Sequence, residues 1–229
     1  MPRKGFYEHK PLKAEASPHK RAVHPVIINR HARVVGELPN YTNSNTQPFH
    51  SGLEHDWLLI LDIEATEFYA ATFQAQPETF KFQREDKHYR YTPDMFVEEF
   101  AGRKVFQEIK PDDVIATDEF SWRWKLCTEV LTGLGHELEL VTESEIRREP
   151  RYSTVRQLQA YRSIWAVPEI TLPIDDVLID GGQLPIGRLR RSFPDPTFAR
   201  QVICNLILQK HLTVDFNLPF NDETLVRKV

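Results

Sequence analysis

Three side chains in this sequence have the types and spacing to do chemistry together. Asp94 follows a proline in Tyr91-Thr92-Pro93-Asp94, and Glu108 and Lys110 stand two apart in Gln107-Glu108-Ile109-Lys110-Pro111. Residues two apart on a strand point to one face, so a strand ending here sets the Glu108 carboxylate beside the Lys110 ammonium. A hairpin turning at Ala101-Gly102 brings Asp94 alongside from the preceding strand. Two carboxylates and an ammonium converging on one point can bind a divalent cation and position a water against a phosphodiester. Glu54, on a helix upstream, is a further carboxylate that can join them. Each residue also has a plainer reading: Asp94 as a turn residue, Glu108 with Lys110 as an exposed ion pair, and Glu54 as part of a helix cap.

The elements that must position these groups are legible in outline. Ser51 and Glu54 match the S-x-x-E capping box, and Leu53, Trp57, Ile60 and Leu61 then recur at helical spacing. The stretches 68–73, 79–83, 88–94, 95–100 and 104–109 are rich in aromatic and β-branched residues and predict strands, with turns at Arg84-Glu85-Asp86-Lys87 and Ala101-Gly102. Asp118 is expected to cap a helix through Trp122, Leu126, Val130 and Leu131 that ends at Gly133 and Gly135. A strand over 137–141 follows, and Thr142-x-x-Glu145 is a second capping box. This order predicts an α/β fold, a mixed sheet flanked by helices. After Val167 short helices are expected over 175–179 and 186–193. Asp195-Pro196 pairs an N-cap with a proline at the first helical position, opening a longer helix. Strands over 212–216 and 224–229 close the chain, so the tail reads as a small winged-helix module. The expected domains are a basic arm over 1–50, with its later half packed on the core, a catalytic domain over 51–166 and the winged helix over 167–229.

Composition sets limits around this reading. The chain has 229 residues, 41% of them hydrophobic, sufficient for a packed core. The longest apolar run, Trp57 to Leu61, falls far short of the ~20 residues that span a bilayer, and no apolar leader follows Met1. Cys127 and Cys204 lie far apart, which argues against a cysteine zinc site or a disulfide scaffold and suits a reducing cytoplasm. His9, His19, His24 and His31 are irregularly spaced and do not suggest zinc. Gly181-Gly182 lacks the surrounding residues of a phosphate cradle. Net charge is −4, yet the basic residues cluster. Arg30 and Arg33 in the arm, and Arg147, Arg148 and Arg151 later, are candidates for phosphate contact. Trp122 and Trp124 flank Arg123 on a helix. Base stacking is one use for them, and a place in the core is expected for at least one.

An acid after a proline, followed one strand later by acid-x-Lys, is the layout of the PD-(D/E)xK nucleases. A more specific likeness rests on several motifs in order: Ser51-Gly52-Leu53-Glu54-His55-Asp56-Trp57, Gln76-Pro77, Tyr91-Thr92-Pro93-Asp94, Glu108-Ile109-Lys110-Pro111 and Val141-Thr142-Glu143-Ser144-Glu145-Ile146-Arg147. With Asp175-Asp176-Val177-Leu178, Gly187-Arg188-Leu189-Arg190 and the stretch 205–215, they make the chain from about residue 30 onward resemble TnsA, the endonuclease subunit of heteromeric Tn-seven-type transposases. Some members of that family carry Gln where this chain has Glu108, and the carboxylate is the stronger ligand for a hard cation.

The resemblance implies hydrolysis at the 5′ ends of a transposon, on the strand that is not transferred. A DDE-type transposase (TnsB) would cut and join the 3′ ends, and an AAA+ ATPase (TnsC) would regulate both. Asp94, Glu108 and the main-chain carbonyl of Ile109 would hold Mg²⁺, with Mn²⁺ able to substitute. Lys110 would orient or help deprotonate the attacking water, and Glu54 would serve a second metal position. Two rival expectations are a free-standing restriction- or resolvase-type nuclease and a non-catalytic DNA-binding scaffold on the same fold.

Overall fold

The structure, a computed structural model, describes residues 34–39, 45–64, 70–162 and 182–229. Arg30, Arg33, the four early histidines and the helix expected over 175–179 lie outside the described residues. The chain divides into two compact units, Met1–Ile146 and Arg147–Val229.

The first unit is built on a mixed four-stranded sheet. Strands β3 (Ala70–Ala75), β6 (Met95–Glu99), β7 (Lys104–Lys110) and β8 (Glu137–Thr142) lie in the order β3-β6-β7-β8. The first two pairings are antiparallel and β7 with β8 is parallel. A parallel neighbour needs a crossover, which α2 (Asp112–Ile115) and α3 (Asp118–Gly133) supply. Helix α3 is capped by Thr117, whose hydroxyl accepts from Phe120 N at 3.2 Å; Asp118, the expected cap, is the first helical residue. It ends in a Schellman arrangement, with His136 N donating to the Leu131 carbonyl and Gly135 N to that of Thr132, around a left-handed Gly135 (φ 82).

The alternation of β7 gives the sheet two distinct faces. Gln107 Oε1 accepts from Trp57 Nε1 at 2.9 Å, which puts α1 (Gly52–Glu64) on one side. Leu58, Leu59, Ile60, Leu61 and Ile63 are all essentially inaccessible, so α1 is buried nearly all round rather than along one stripe. Phe106, one residue from Gln107, faces the other way into a cluster with Leu126, Cys127, Val130 and Leu131 of α3. Among the described residues the hairpin of β4 (Phe80–Arg84) and β5 (Lys87–Tyr91) pairs only with itself, and it covers that second face with Phe80, Phe82 and Tyr91. Of the five strands expected between 68 and 109, three therefore enter the main sheet and two roof it. Ahead of them β1 (Gly36–Pro39) and β2 (Thr46–Phe49) form a small hairpin. Its Gln47 accepts from Ala75 N at 2.8 Å, so this later part of the basic arm packs on the unit. A one-turn helix, α4 (Glu143–Ile146), follows β8, with Thr142 Oγ1 accepting from Glu145 N.

The second unit contains α5 (Arg151–Gln159), β9 (Gln183–Pro185), α6 (Ile186–Arg190), α7 (Pro196–Leu208), β10 (Leu212–Val214) and β11 (Leu225–Lys228). The strands form an antiparallel sheet in the order β10-β11-β9. Asp195 caps α7 as its sequence implies, accepting from Thr197 N at 2.8 Å and Phe198 N at 3.2 Å. The core gathers Ile186, Leu189, Val202, Ile203, Leu206 and Val226. Helix α5 belongs here: Gln157 Oε1 accepts from Arg200 of α7, and Thr154, Val155 and Leu158 are buried. The division between the units thus falls at Ile146 and not at residue 166, the boundary expected from the sequence.

Candidate active site

Strand register brings the predicted residues together. Met95 pairs with Gln107 across β6 and β7, and one step further along the hairpin Asp94 stands opposite Glu108 on the face toward α3. Two backbone contacts hold Asp94 in place. Its Oδ2 accepts from Ile109 N at 2.8 Å, and its carbonyl accepts from Gln76 N at 3.0 Å. Gln76 itself has φ 48, the uncommon left-handed conformation for a non-glycine residue.

Lys110 sits at the centre. Its Nζ lies 2.7 Å from Glu108 Oε1 and 3.2 Å from Asp94 Oδ2, and donates to the Ile109 carbonyl at 3.0 Å. These three oxygens are the ones assigned above to a divalent cation. The ammonium occupies the focus of that oxygen set. Tyr91 completes the surroundings by donating its hydroxyl to Glu108 Oε2 at 2.7 Å. Tyr91 belongs to the motif Tyr91-Thr92-Pro93-Asp94 but has no task predicted from it; its position three residues before Asp94, at the end of β5, is the signal for this contact.

Glu54 approaches from α1. Its Oε2 accepts from His50 N at 2.8 Å and its Oε1 from the Ser51 hydroxyl at 3.0 Å, while Ser51 Oγ accepts from Glu54 N at 3.1 Å. Both carboxylate oxygens therefore serve the cap. Among the described residues no three His, Cys, Asp or Glu side chains group closely enough to hold a metal ion between them. Glu54 is tied to the site by charge rather than by direct contact.

The electrostatics record that tie. Burial, and then the charge of Asp94, push the Glu54 carboxyl up to about 7. The same two causes, in the same order, raise Glu108, against the pull of Lys110 and the Tyr91 hydroxyl bond. Burial works against the Lys110 ammonium, but Asp94 and Glu108 outweigh it and hold its pKa above the ordinary value. Burial, reinforced by the Glu108 charge, holds the Tyr91 phenol well above its ordinary value and pushes the Cys127 thiol up to about 11. Three carboxylates thus share one ammonium, and two of them resist ionising. A site with surplus negative charge and hard oxygen donors fits a divalent cation of the Mg²⁺ class.

A cleft of ≈440 Å³ opens over this cluster. Tyr91, Asp94, Glu108 and Lys110 line its sheet side. Phe120, Arg123 and Trp124 of α3, with Val114 of α2, line the opposite wall. Neither tryptophan of α3 belongs to the core, contrary to expectation. Trp122 is exposed and leans on Tyr89, with ring centroids 6.1 Å apart, while Trp124 is half-buried in the cleft wall.

The candidate phosphate contacts Arg147, Arg148 and Arg151 all fall in the second unit. Arg147 lies over the Tyr152 ring at 6.0 Å, Arg148 donates to Asn217 Oδ1 at 3.2 Å, and Arg151 opens α5. Both cysteines are buried free thiols. Among the described residues no helix is long and apolar enough to cross a membrane. No protein-family model matches the sequence, and a comparison with curated proteins finds no match.

Proposed function

We propose that this chain is a divalent-metal-dependent DNA endonuclease subunit of a heteromeric transposase, hydrolysing the phosphodiester at the 5′ ends of a mobile element. The observation that carries the reading is the convergence of Asp94 Oδ2, Glu108 Oε1 and the Ile109 carbonyl on one cation, here the Lys110 ammonium. The mixed sheet with an acid-x-Lys strand at its centre supports a restriction-endonuclease-like core. The three-stranded sheet with α6 and α7 supports a winged helix in the second unit. The choice of TnsA among such nucleases rests on the motif order in the sequence.

Asp94, Glu108 and the Ile109 carbonyl would hold Mg²⁺ or Mn²⁺. The metal would supply a nucleophilic water at neutral pH and charge stabilisation for the scissile phosphate. Lys110 would then be released from its carboxylate partners to direct the attacking water and to offset charge developing on the phosphoryl oxygens. Tyr91 fixes the Glu108 carboxylate by its hydroxyl bond, leaving Oε1 toward the cation position. Glu54 adds negative potential from α1 and would serve a second cation position on release of its capping contacts. Partners follow from the resemblance: duplex DNA, a DDE-type transposase that selects the ends, and an AAA+ regulator that docks on the second unit.

Cleavage in a reconstituted complex tests the proposal. Asp94→Ala and Glu108→Ala should reduce 5′-strand cutting to background while melting no lower than the wild type, because each removes like-charge repulsion. Cutting at the wild-type rate by either variant would overturn the site assignment. Efficient cutting by the wild-type chain with magnesium alone would favour a free-standing nuclease over a transposase subunit.

A further inference from the structure

The wall of the cleft facing the carboxylates is aromatic where a surface helix ordinarily carries polar side chains. Thr117, Phe120, Trp124 and Cys127 follow helical spacing along one side of α3 and the residue before it, so they share a face. That face looks into the cleft. Phe120 and Trp124 lie with planes 16° apart and centroids 6.0 Å apart, giving two parallel π faces. Burying such rings in the core would stabilise the fold far more than leaving them half-buried on a cleft wall, and here the core beneath them is filled by Leu126, Val130 and Leu131.

The site they overlook is recessed. The side chains of Asp94 and Glu108 are 14% and 12% exposed, whereas an intact duplex presents its phosphates on a convex surface. A strand can bring a phosphate down to the carboxylates when it leaves the duplex locally, and a base freed in that way needs a new stacking partner. Arg123, on the same wall, offers a guanidinium to the adjoining phosphate.

From these observations we infer that Phe120 and Trp124 form a stacking platform for an unpaired nucleobase beside the scissile phosphate. The DNA taken up is then locally melted or flapped rather than fully paired. The inference rests on the nuclease reading above and specifies the form of its substrate.

The test is equilibrium binding, with calcium in place of magnesium. Fluorescence anisotropy would compare the full chain on a labelled duplex with the same duplex bearing a two-nucleotide unpaired flap. The wild type should prefer the flapped DNA by about tenfold, the scale set by stacking one base on an aromatic ring. Trp124→Ala and Phe120→Ala should each bring the ratio toward one with duplex affinity unchanged. Trp124→Phe should retain the preference, as should Trp122→Ala, whose ring lies outside the cleft lining. Circular dichroism establishes that each variant is folded, and Phe120→Ala carries the test if Trp124→Ala is not. Equal affinity of the wild type for both DNAs would overturn the platform, the result also expected if the wall seats a protein segment. A preference that survives both alanine variants would overturn it as well. Because no cleavage is measured, either result leaves the nuclease reading to be judged by Asp94→Ala and Glu108→Ala.

Discussion

Each unit of this molecule holds a charged cluster of similar outline, and the two differ in burial and balance. In the second unit Asp222 Oδ1 lies 2.6 Å from Arg190 and 3.8 Å from Arg200, and its side chain is 52% exposed. Cations outnumber the carboxylate, and water reaches the group. That cluster ties the loop before β11 to α6 and α7 and has little other consequence. In the first unit, among the described residues, a single ammonium serves Asp94 and Glu108, both nearly buried, with Glu54 close enough to feel the Asp94 charge. Buried charge is costly unless fully paired, and apolar replacements of similar volume are often as stable or more so. A surplus of buried negative charge is a poor choice for stability and a good one for cation chemistry. The same residue types thus stand in opposite balance in the two clusters, cationic and exposed in one, anionic and nearly buried in the other.

The comparison breaks most readily at Lys110. Lys110→Ala should lower metal-free stability by about 3 kcal/mol, because it leaves two nearly buried carboxylates facing each other. Added magnesium should restore most of that loss by taking the vacated position, while cleavage stays about 10²–10³-fold down. Chemical denaturation with and without magnesium provides the measurement. A variant as stable as wild type without metal would mean that the cluster is as inconsequential as its counterpart around Asp222.

Truncation sharpens the boundary on which the comparison depends. A chain ending at residue 146 should remain soluble and melt cooperatively. One ending at 166 strands Val155 and Leu158, each worth about 1.5–3 kcal/mol when buried, and should aggregate or melt earlier. If the two behave alike in light scattering and calorimetry, α5 does not depend on the second unit. On the proposed transposase reading, the shorter chain should also lose an AAA+ regulator in a pull-down and keep a DDE-type transposase.

Glu54 gives a pH signature. Its carboxyl is raised from 4.5 in the unfolded chain to about 7 in the fold, so the folded state binds more protons between those values and stability falls as pH rises through that window. Glu54→Gln keeps an acceptor for the cap and removes this contribution. Its stability without metal should decline less than that of wild type between pH 5 and pH 8, with Glu108 still giving some slope. Unchanged pH dependence would show that neither burial nor the Asp94 charge raises the Glu54 carboxyl. If Glu54 also serves a cation, cleavage should drop by about 10²-fold or more.

The smallest effect should come from Asp222→Ala. A half-exposed carboxylate in contact with two arginines contributes less than about 1 kcal/mol, and urea midpoints should move accordingly. A loss as large as that of Lys110→Ala would erase the contrast.

Much of the candidate site is legible in the sequence because it rests on short-range rules. The i, i+2 alternation aligned Glu108 with Lys110, the hairpin at Gly102 set the register that brought Asp94 across, and Ser51-x-x-Glu54 gave the start of α1. The Asp195-Pro196 signal located α7 for the same reason. What escaped depended on the surroundings. The first turn of α3 chose Thr117 over Asp118 as its cap, two acceptors adjacent in sequence and equally plausible from it. The hairpin of β4 and β5 has strand composition but pairs away from the main sheet, which only the packing of Phe80 and Phe82 on α3 decides. Helix α5 has a polar exterior and only three buried positions, too weak a period to read. The seat taken by the Lys110 ammonium, on the Ile109 carbonyl as well as two carboxylates, depends on a backbone atom that sequence does not distinguish.

Trp57 links α1 to the back of β7 through Gln107, the residue just before Glu108. One turn earlier on the same helix, Glu54 is buried and feels the like charge of Asp94. One helix thus holds β7 from behind and sets a carboxylate near its end. The Trp57–Gln107 bond therefore carries a displacement of α1 directly to the strand that bears Glu108 and Lys110. Spacing among Asp94, Glu108 and Lys110 is set by strand register, while the distance of the Glu54 charge from them is set by the helix.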